Sequence, residues 1–459
     1  MKPLLLDEGK LGLMTDLYEL TMAAAYFDNN ERHKAAFELF VRTYPKDRCY
    51  LIAAGLEQAI HYVLNVRFDE DSIAFLRVHP AFKTVSDEFF EYLKGFRFTG
   101  DVSAVPEGTV VLTDEPIVTV TAPIIEAQLL ETFLLSTINF QTLIATKASR
   151  VVQAAKGRGV VEFGARRAHG PHAALLAARA AYIGGCIGTS NVIAGYELGI
   201  PTYGTVAHSF IMNYDSEREA FEKYCKVFSS EPAVLVDTYD TIAGTKRAIE
   251  TGKKLSLVRL DSGDILKLST KVREILDRAG LSDTKIFVSG DMNEYKINNL
   301  ISKGAPIDSF GVGTELVTSR DDPALPGIYK LVAVEREGRW IPRVKTSAGK
   351  RTLPGPKQIF RKYSRKGQLQ RDLLGMAGEE PPSSTIPLLE KIVEGGGLVY
   401  EFPRIERIQE RATSEVQSLP MAAKKLRGCK SPQVRLTPRL KSVAQSLYVE
   451  HHVPRGRAA

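Results

Sequence analysis

The feature that most constrains the fold is a regular alternation of short apolar runs with helix-like segments between about residues 150 and 315. The run "VVEFGARR" precedes the alanine-rich "HAALLAARAAYIGG", and "LSLVRLDSGD" precedes "ILKLSTKVREILDRAG", whose apolar side chains recur at helical spacing. Gly280 then marks a natural helix end. Strands that alternate with helices pair in parallel through helical crossovers. The pattern therefore predicts an α/β fold, and we expect an irregular, TIM-like α/β barrel.

Polar residues and glycines follow the predicted strands at their carboxyl ends. They are Arg166, His208, Asp237, Arg259, Asp261, Asp264, Asp291 and the Gly311–Gly313 pair. In an α/β barrel these ends meet at one face, where such enzymes carry out their chemistry. An open doubly wound sheet would also gather ligands at its strand ends. Helix capping explains any single aspartate, but it explains the cations poorly, because positive charge is disfavoured at a helix N-terminus.

The segments that flank this region predict other kinds of structure. The stretch "DLYELTMAAAYF" is typical of a helix, and "AAFELFVRTYP" and "GTVVLTDEPIVTVTAP" are typical of strands. We therefore expect an N-terminal α+β domain over residues 1–130 and a catalytic α/β barrel over 131–335. A C-terminal β and loop segment over 336–459 should pack on the N-terminal domain and end in a basic helical tail.

Composition limits the compartment and the partners. The 459-residue chain has no apolar run long enough to cross a membrane, and its N-terminus lacks the apolar core of a secretion signal. The four cysteines lie far apart, so they indicate neither a zinc site nor a disulfide framework. We expect a cytoplasmic protein without a membrane partner.

Positive charge is concentrated at the C-terminal end. Residues 403–459 carry 12 Lys and Arg against 4 Asp and Glu, whereas the rest of the chain carries 49 against 50. The tail has few aromatic side chains to stack on bases and contains no known nucleic-acid module. We therefore expect a solvated tail and no nucleic-acid partner.

The densest candidate site is "RLDSGD" at 259–264. Asp261 and Asp264 offer the oxygen ligands that Mg²⁺ prefers, or acceptors for the hydroxyl groups of a sugar. Ser262 and Gly263 would present backbone N–H groups to a phosphate, and Arg259 would add a guanidinium fork for an anion. An ordinary helix cap with an ion pair is the alternative.

Three further motifs are weaker when each is taken alone. The glycines of "FGVGTE" allow close approach of a phosphate to the backbone, although a plain turn is the alternative. Phe163 and Arg166 in "VEFGARRAHG" suit a flat anionic ring, but Phe163 could equally be a core residue. His208 lacks the second histidine of a zinc site, and a buried packing histidine is the simplest interpretation without context. No Walker A sequence is present.

The ordered set of motifs resembles the nicotinate phosphoribosyltransferase family. It comprises "TDLYELTMAAAYF", "FGARRAHG", "GTSNVIAG", "GTVAHSF", "LVDTYDT", "RLDSGD", "FGVGTELVTS" and "GPKQIFR". The resemblance implies transfer of phosphoribosyl from phosphoribosyl pyrophosphate to nicotinate, the first step of NAD salvage from nicotinic acid. It also implies a homodimer and a ligase-type enzyme that hydrolyses ATP through a transient phosphohistidine.

The same resemblance implies roles for single residues. His208 would be the phosphorylated histidine, and Tyr18 would stack on the pyridine from the partner subunit, opposite Phe163. The remaining matched positions are Arg166 and Arg259 at the nicotinate carboxylate and the phosphates, and Asp261, Gly311, Gly313 and the following Thr314 at the ribose and phosphate. We further expect Asp237 to hold the His208 ring in the right tautomer.

Two rival functions remain at this stage. Nicotinamide phosphoribosyltransferases usually carry an acid where this chain has Ser190. A serine suits a carboxylate substrate, because an aspartate would repel it. The second rival is a non-catalytic nucleotide-binding scaffold, against which the intact His208, Arg259 and Asp261 argue.

Overall fold

The computed structural model describes residues 8–230, 232–347 and 350–450. The chain divides into two compact units, Leu143–Pro323 and the combination of Met1–Thr142 with Ala324–Ala459. The predicted N-terminal domain and the predicted basic tail each extend beyond the described residues, by residues 1–7 and 451–459 respectively.

The N-terminal segment of the first unit mixes helices and short strands. Its helices are α1 (Leu17–Asp28), α2 (Leu56–Asn65), α3 (Glu70–Val78), α4 (Asp87–Lys94) and α5 (Ile124–Leu129), with 3₁₀ turns at Glu8–Leu13 and Pro80–Phe82. Helix α6 (Glu131–Ala154) begins in the first unit and ends in the second. Its strands are β1 (Lys34–Val41), β2 (Leu51–Ile52), β3 (Asp101–Ala104), β4 (Val110–Val111) and β5 (Pro116–Pro123). The predicted α1, β1 and β5 are confirmed.

The second unit contains the predicted alternation. Its strands are β6 (Gly159–Glu162), β7 (Gly188–Thr189), β8 (Ala233–Leu235), β9 (Leu257–Leu260), β10 (Lys285–Val288) and β11 (Ser309–Val312). Its helices are α7 (Pro171–Ile183), α8 (Val192–Leu198), α9 (His208–Met212), α10 (Glu217–Val227), α11 (Thr241–Glu250), α12 (Ile265–Arg278), α13 (Glu294–Ser302) and α14 (Thr314–Val317), with a 3₁₀ turn at Ala165–Arg167.

The C-terminal segment belongs to the first unit. Its elements are β12 (Gly327–Arg336), β13 (Arg339–Pro342), β14 (Lys357–Tyr363), β15 (Leu369–Met376), β16 (Ile386–Pro387), β17 (Glu390–Glu394), β18 (Gly397–Leu398), α15 (Ile405–Ser418), β19 (Gln433–Leu436) and α16 (Pro438–Glu450). Strand β1 pairs with β5 on one side and β12 on the other, both antiparallel. The sheet order β13-β12-β1-β5-β3-β17-β18 thus joins both ends of the chain.

A disulfide also joins the two ends of the chain. Cys49 and Cys429 are 380 positions apart in the sequence and are bonded, with their Cα atoms 6.0 Å apart. The prediction that the cysteines form no disulfide is therefore wrong. Sequence spacing gave no sign of the pair, because only the return of the C-terminal segment to the N-terminal strands brings the two residues together.

The sheet of the second unit is parallel, in the order β7-β6-β11-β10-β9-β8. The first strand of the unit, β6, pairs with the last, β11, as well as with β7. Thr189 of β7 forms an isolated parallel bridge with Thr202, which lies between α8 and α9 in the sequence. Among the described residues no ladder pairs β7 with β8, and these strands are the two edges of the sheet. The structure therefore confirms a mixed α/β fold with a parallel sheet.

Amphipathic helices cover this sheet. The predicted helix at "ILKLSTKVREILDRAG" is α12, which buries Ile265, Val272 and Leu276. Gly280 follows it with a φ of +75°, a left-handed conformation that glycine adopts without strain. No helix among the described residues combines the length and apolarity that a membrane span requires.

Candidate active site

A cavity of about 360 Å³ lies at the carboxyl ends of the parallel strands. Its lining includes six of the predicted site residues: Phe163, Arg166, Ser190, His208, Arg259 and Asp261. A smaller adjoining cavity of about 170 Å³ shares four of these, all except Ser190 and His208, and adds Gly311, Gly313 and Thr314. Parallel pairing explains the convergence, because it places the carboxyl ends of all strands at one edge.

Arg259 organises the floor of this site. It lies within β9, where its guanidinium donates to the Ser289 hydroxyl at 2.8 Å, the Thr205 hydroxyl at 3.0 Å and the Asp261 carboxylate at 2.8 Å. Its charge also lies 5.7 Å from the centre of the Phe163 ring, within the range of a cation–π interaction. Arg259 therefore fixes the 204–207 loop to the sheet and brings positive charge to the cavity.

His208 is the first residue of the short helix α9. The prediction that it follows directly after a strand is wrong, because residues 203–207 form no strand. Its Nδ1 lies 3.2 Å from the Thr238 hydroxyl, and its Nε2 lies 3.8 Å from Asp261 Oδ2. About 41% of its side chain is exposed, so it is not a buried packing histidine. Nδ1 is therefore engaged by Thr238, and Nε2 lies beside the Asp261 carboxylate, which lines the same cavity.

Asp261 is the acidic centre of the site. Burial alone would raise its pKa, but hydrogen bonds from Ser289 and Arg259 and the charge of Arg259 lower the pKa more, so that it lies below its usual value. The side chain is therefore a carboxylate at neutral pH. It faces the His208 ring on one side and Arg259 on the other.

Asp237 holds the RLDSGD segment in place. Its Oδ2 accepts from the Asp261 backbone N–H and from the Ser262 hydroxyl, both at 2.8 Å. The expected contact of Asp237 with His208 is absent from the hydrogen bonds of the described residues, and Thr238 takes that place.

The neighbouring Gly290 has no room for a side chain, since a Cβ would lie 1.9 Å from the Asp261 carbonyl oxygen.

Gly311 leaves space for the two aromatic rings beside the cavity, Phe163 and Phe287. A Cβ there would lie 2.7 Å from Phe287 and 2.8 Å from Phe163, and the centroids of these two rings are 5.2 Å apart. Aromatic packing therefore requires a glycine at this position, in addition to any approach of a phosphate. Gly313 is less crowded, because its Cβ would lie 3.1 Å from the Phe163 carbonyl oxygen.

Asp264 and Gly263 stand at the start of α12. Asp264 caps this helix by accepting from the Lys267 backbone N–H at 3.2 Å, and its other oxygen lies 3.3 Å from Lys267 Nζ. Ser262 and Gly263 line a third cavity of about 370 Å³, together with Asp261 and Asp291. The alternative interpretation of Asp264 as a helix cap thus describes its contacts in the structure.

Tyr18 belongs to the other unit, on α1 of the first unit, with about 50% of its surface exposed. Tyr18 is not among the residues that line these cavities. The expected stacking on the pyridine stays a prediction that concerns two subunits.

Two residues that support the site were not predicted from the sequence. Thr238 directly follows Asp237 and orients His208. Glu162 precedes Phe163 and is fully buried, where its carboxylate accepts from the Thr189 hydroxyl at 2.5 Å and from the Gly164 backbone N–H. An acid as the last residue of an otherwise apolar strand was the available signal.

Three family models match successive parts of the chain. They are the N-terminal domain of nicotinate phosphoribosyltransferase over residues 13–139, the C-terminal domain of quinolinate phosphoribosyl transferase over 144–321 and the C-terminal domain of nicotinate phosphoribosyltransferase over 381–444. A nicotinate phosphoribosyltransferase of Mycobacterium tuberculosis is 46% identical over 415 residues, which cover 89% of this chain and 87% of the relative. The chain belongs to the nicotinate phosphoribosyltransferase family.

Other members of the family agree with this assignment. The nicotinate phosphoribosyltransferase of Bacillus subtilis is 40% identical over 435 residues, with 88% of both chains covered. The crystal structure of human nicotinic acid phosphoribosyltransferase superposes with a TM-score of 0.84 at 28% identity, covering 94% of this chain and 99% of the human one. The family's fold therefore extends over nearly the whole chain.

Proposed function

We propose that the protein transfers phosphoribosyl from phosphoribosyl pyrophosphate to nicotinate, giving nicotinate mononucleotide and pyrophosphate. This would be the first step of NAD salvage from nicotinic acid. The observation that carries the proposal is the cavity at the strand ends, where an aromatic wall, arginines and a carboxylate converge in a chain of this family.

The transfer joins the pyridine nitrogen to the anomeric carbon while the bond from that carbon to the pyrophosphate oxygen breaks. Phe163 offers a flat wall that would aim the ring, and alignment of this kind lowers the barrier by reducing the entropy cost. Arg166 and Arg259 supply positive charge for the carboxylate and the departing pyrophosphate. Asp261 supplies a carboxylate beside the sugar, whose charge becomes cation-like during transfer.

The direct experiment offers the purified protein phosphoribosyl pyrophosphate with nicotinate or with nicotinamide, each with and without ATP, and identifies the product by mass. We expect nicotinate mononucleotide, in higher yield with ATP. Formation of nicotinamide mononucleotide at an equal or greater rate would support the sister activity instead. A protein that forms neither product and still binds nucleotides would be the non-catalytic scaffold.

We further propose that ATP is a co-substrate and that His208 carries its γ-phosphoryl group. The Nδ1–H group would donate a hydrogen bond to the Thr238 hydroxyl oxygen and keep its proton, which leaves the Nε2 lone pair to attack phosphorus. The new N–P bond forms as the P–O bond to ADP breaks, and ADP leaves. The added negative charge would attract the guanidinium of Arg259, which lines the same cavity as His208, and hydrolysis would remove this attraction.

Mg²⁺ fits this site in part. Among the described residues no group of three or more His, Cys, Asp or Glu side chains could hold a metal ion alone. Mg²⁺ commonly binds one or two carboxylates together with substrate phosphates, and Asp261 and Asp291 line the same cavity. We propose Asp261 as a ligand, with Asp291 better placed than the capping Asp264 to be the second. Bound Mg²⁺ would neutralise phosphate charge.

The remaining features of the proposal concern assembly. We propose an irregular barrel, supported by the β6–β11 pairing and by the Arg259 bond to Thr205, which fastens residues 204–207 across the gap between β7 and β8. We also propose a homodimer in which the exposed Tyr18 completes the partner's cavity. We also propose a cytoplasmic location. The Cys49–Cys429 disulfide counts against this location, because disulfides are rare in a reducing cytoplasm.

A further inference from the structure

Glu162 makes contact with two different walls of the candidate active site. One wall contains Phe163, which follows it directly, and the other contains Ser190. The carboxylate of Glu162 accepts from the Gly164 backbone N–H on the first side and from the Thr189 hydroxyl, at 2.5 Å, on the second. A single side chain therefore links the two segments.

Backbone contacts make the link rigid. The Glu162 carbonyl oxygen accepts from the Ser190 N–H at 2.9 Å, and the Thr189 hydroxyl accepts from the Asn191 N–H at 2.9 Å. Gly164 has no free space, because a Cβ there would lie 2.3 Å from Val317 and 2.9 Å from Glu162 Oε1. The loop that carries Ser190 is thus set by the same residue that sets the turn after Phe163.

The burial of Glu162 is costly for an acid. Burial raises its pKa, and the hydrogen bonds from Thr189 and Gly164 oppose that rise only in part. A buried polar group of this kind is stable only when its partners stay in place. Glu162 therefore holds Gly164 and Thr189 in fixed positions relative to each other.

We infer that Glu162 is a positioning residue that sets the width of the pyridine slot, and thereby the preference for nicotinate, through its links to Gly164 and Thr189. The inference rests on the proposed function. It assigns specificity to a residue that does not itself touch the substrate. Loss of the link should weaken binding of the pyridine ring. Binding of phosphoribosyl pyrophosphate at Arg259, Gly311 and Gly313 should stay intact.

The test uses Glu162→Gln and Thr189→Val, each of which disrupts the link with little change of shape. The chain offers a matched control pair in the first unit, where the buried Glu126 accepts from the Thr99 backbone N–H at 2.6 Å and from its hydroxyl at 2.9 Å. Glu126→Gln and Thr99→Val therefore break the same type of contact in the unit that does not contain the cavity. Thr189→Ser keeps the hydroxyl group and should therefore keep the KM for nicotinate of the wild type.

We expect Glu162→Gln and Thr189→Val to raise KM for nicotinate by about tenfold or more, because a slot whose two walls are no longer linked holds the ring less well. KM for phosphoribosyl pyrophosphate should stay within about twofold, and the preference over nicotinamide should shrink. The controls and Thr189→Ser should keep both KM values. Circular dichroism checks folding, and Thr189→Val carries the test alone should Glu162→Gln not fold.

An unchanged KM for nicotinate in both site variants would overturn the inference, as would an equal rise of both KM values. Equal effects of the control pair would assign Glu162 a purely structural role and overturn it as well. The proposed function fails separately, if the wild-type protein makes no nicotinate mononucleotide in the same assay.

Discussion

Glu19 gives a prediction whose magnitude follows from the structure. It lies on α1 next to Tyr18, is fully buried, and accepts from the Gln128 side chain at 2.5 Å. Burial raises its pKa from 4.5 to about 7, the Gln128 hydrogen bond opposes the rise, and the charge of Glu131 adds to it. The folded protein therefore holds a proton that the unfolded chain releases at lower pH.

The sign of the pH dependence follows from linkage. Below pH 4.5 both states are protonated, and the stabilisation from the neutral side chain is fully present. This stabilisation is lost as pH rises through about 7. The loss amounts to about 3 kcal/mol, because the pKa difference between 4.5 and about 7 counts about 1.36 kcal/mol per unit. Glu19→Gln keeps an acceptor for Gln128 and removes the titration, so the variant should become more stable than wild type as pH rises.

Urea unfolding followed by circular dichroism between pH 4.5 and 8 measures this difference. We expect the difference in unfolding free energy between Glu19→Gln and wild type to grow by about 3 kcal/mol over that range. The exposed Glu88 on α4 provides the control, since Glu88→Gln should show no such growth. A difference that is constant with pH, or that favours wild type at high pH, would refute the reasoning.

Three further predictions concern substrate choice, assembly and stability. Ser190→Asp should lower kcat/KM for nicotinate by more than about tenfold through charge repulsion, with a smaller loss for nicotinamide. The control Ser229→Asp, in an exposed loop, should change neither value. Equal losses for both substrates would contradict a role of Ser190 in substrate choice. Mixing Tyr18→Ala with His208→Ala subunits should restore activity if the site is shared, whereas activity no higher than that of the parents after confirmed subunit exchange would count against it. Cys49→Ser should lower the unfolding free energy by about 2–4 kcal/mol under oxidising conditions, and an unchanged urea midpoint would show that the bridge does not stabilise the fold.

Much of the second unit could be predicted from the sequence, because its strands and helices are local patterns. Arg259 and Asp261 were placed correctly at the cavity, since parallel strands bring their carboxyl ends together. His208 was assigned to a strand end because the stretch before it is apolar. In the structure that stretch forms only an isolated bridge at Thr202, and Arg259 holds it by side-chain contacts that no periodicity reveals.

What could not be predicted depends on contacts between distant parts of the chain. The Cys49–Cys429 disulfide requires the pairing of the chain ends, and Thr238 could be preferred to Asp237 as the partner of His208 only from side-chain geometry. Gly311 was assigned to phosphate because glycine permits a close approach. The packing of aromatic rings against it is a second reason, which follows only from the placement of those rings in three dimensions.

The central claim is that His208 is a chemical participant, and γ-labelled ATP tests it most directly. Wild type should take up an acid-labile, base-stable label that maps to residues 204–212, and His208→Ala should take up none while keeping a slow, ATP-independent ribosyl transfer. His61→Ala is the matched control, since the His61 ring also lies close to a carboxylate, with Nε2 3.6 Å from Glu8 Oε1, and this variant should be labelled like wild type. A label that persists in His208→Ala, or that maps elsewhere, would contradict the account.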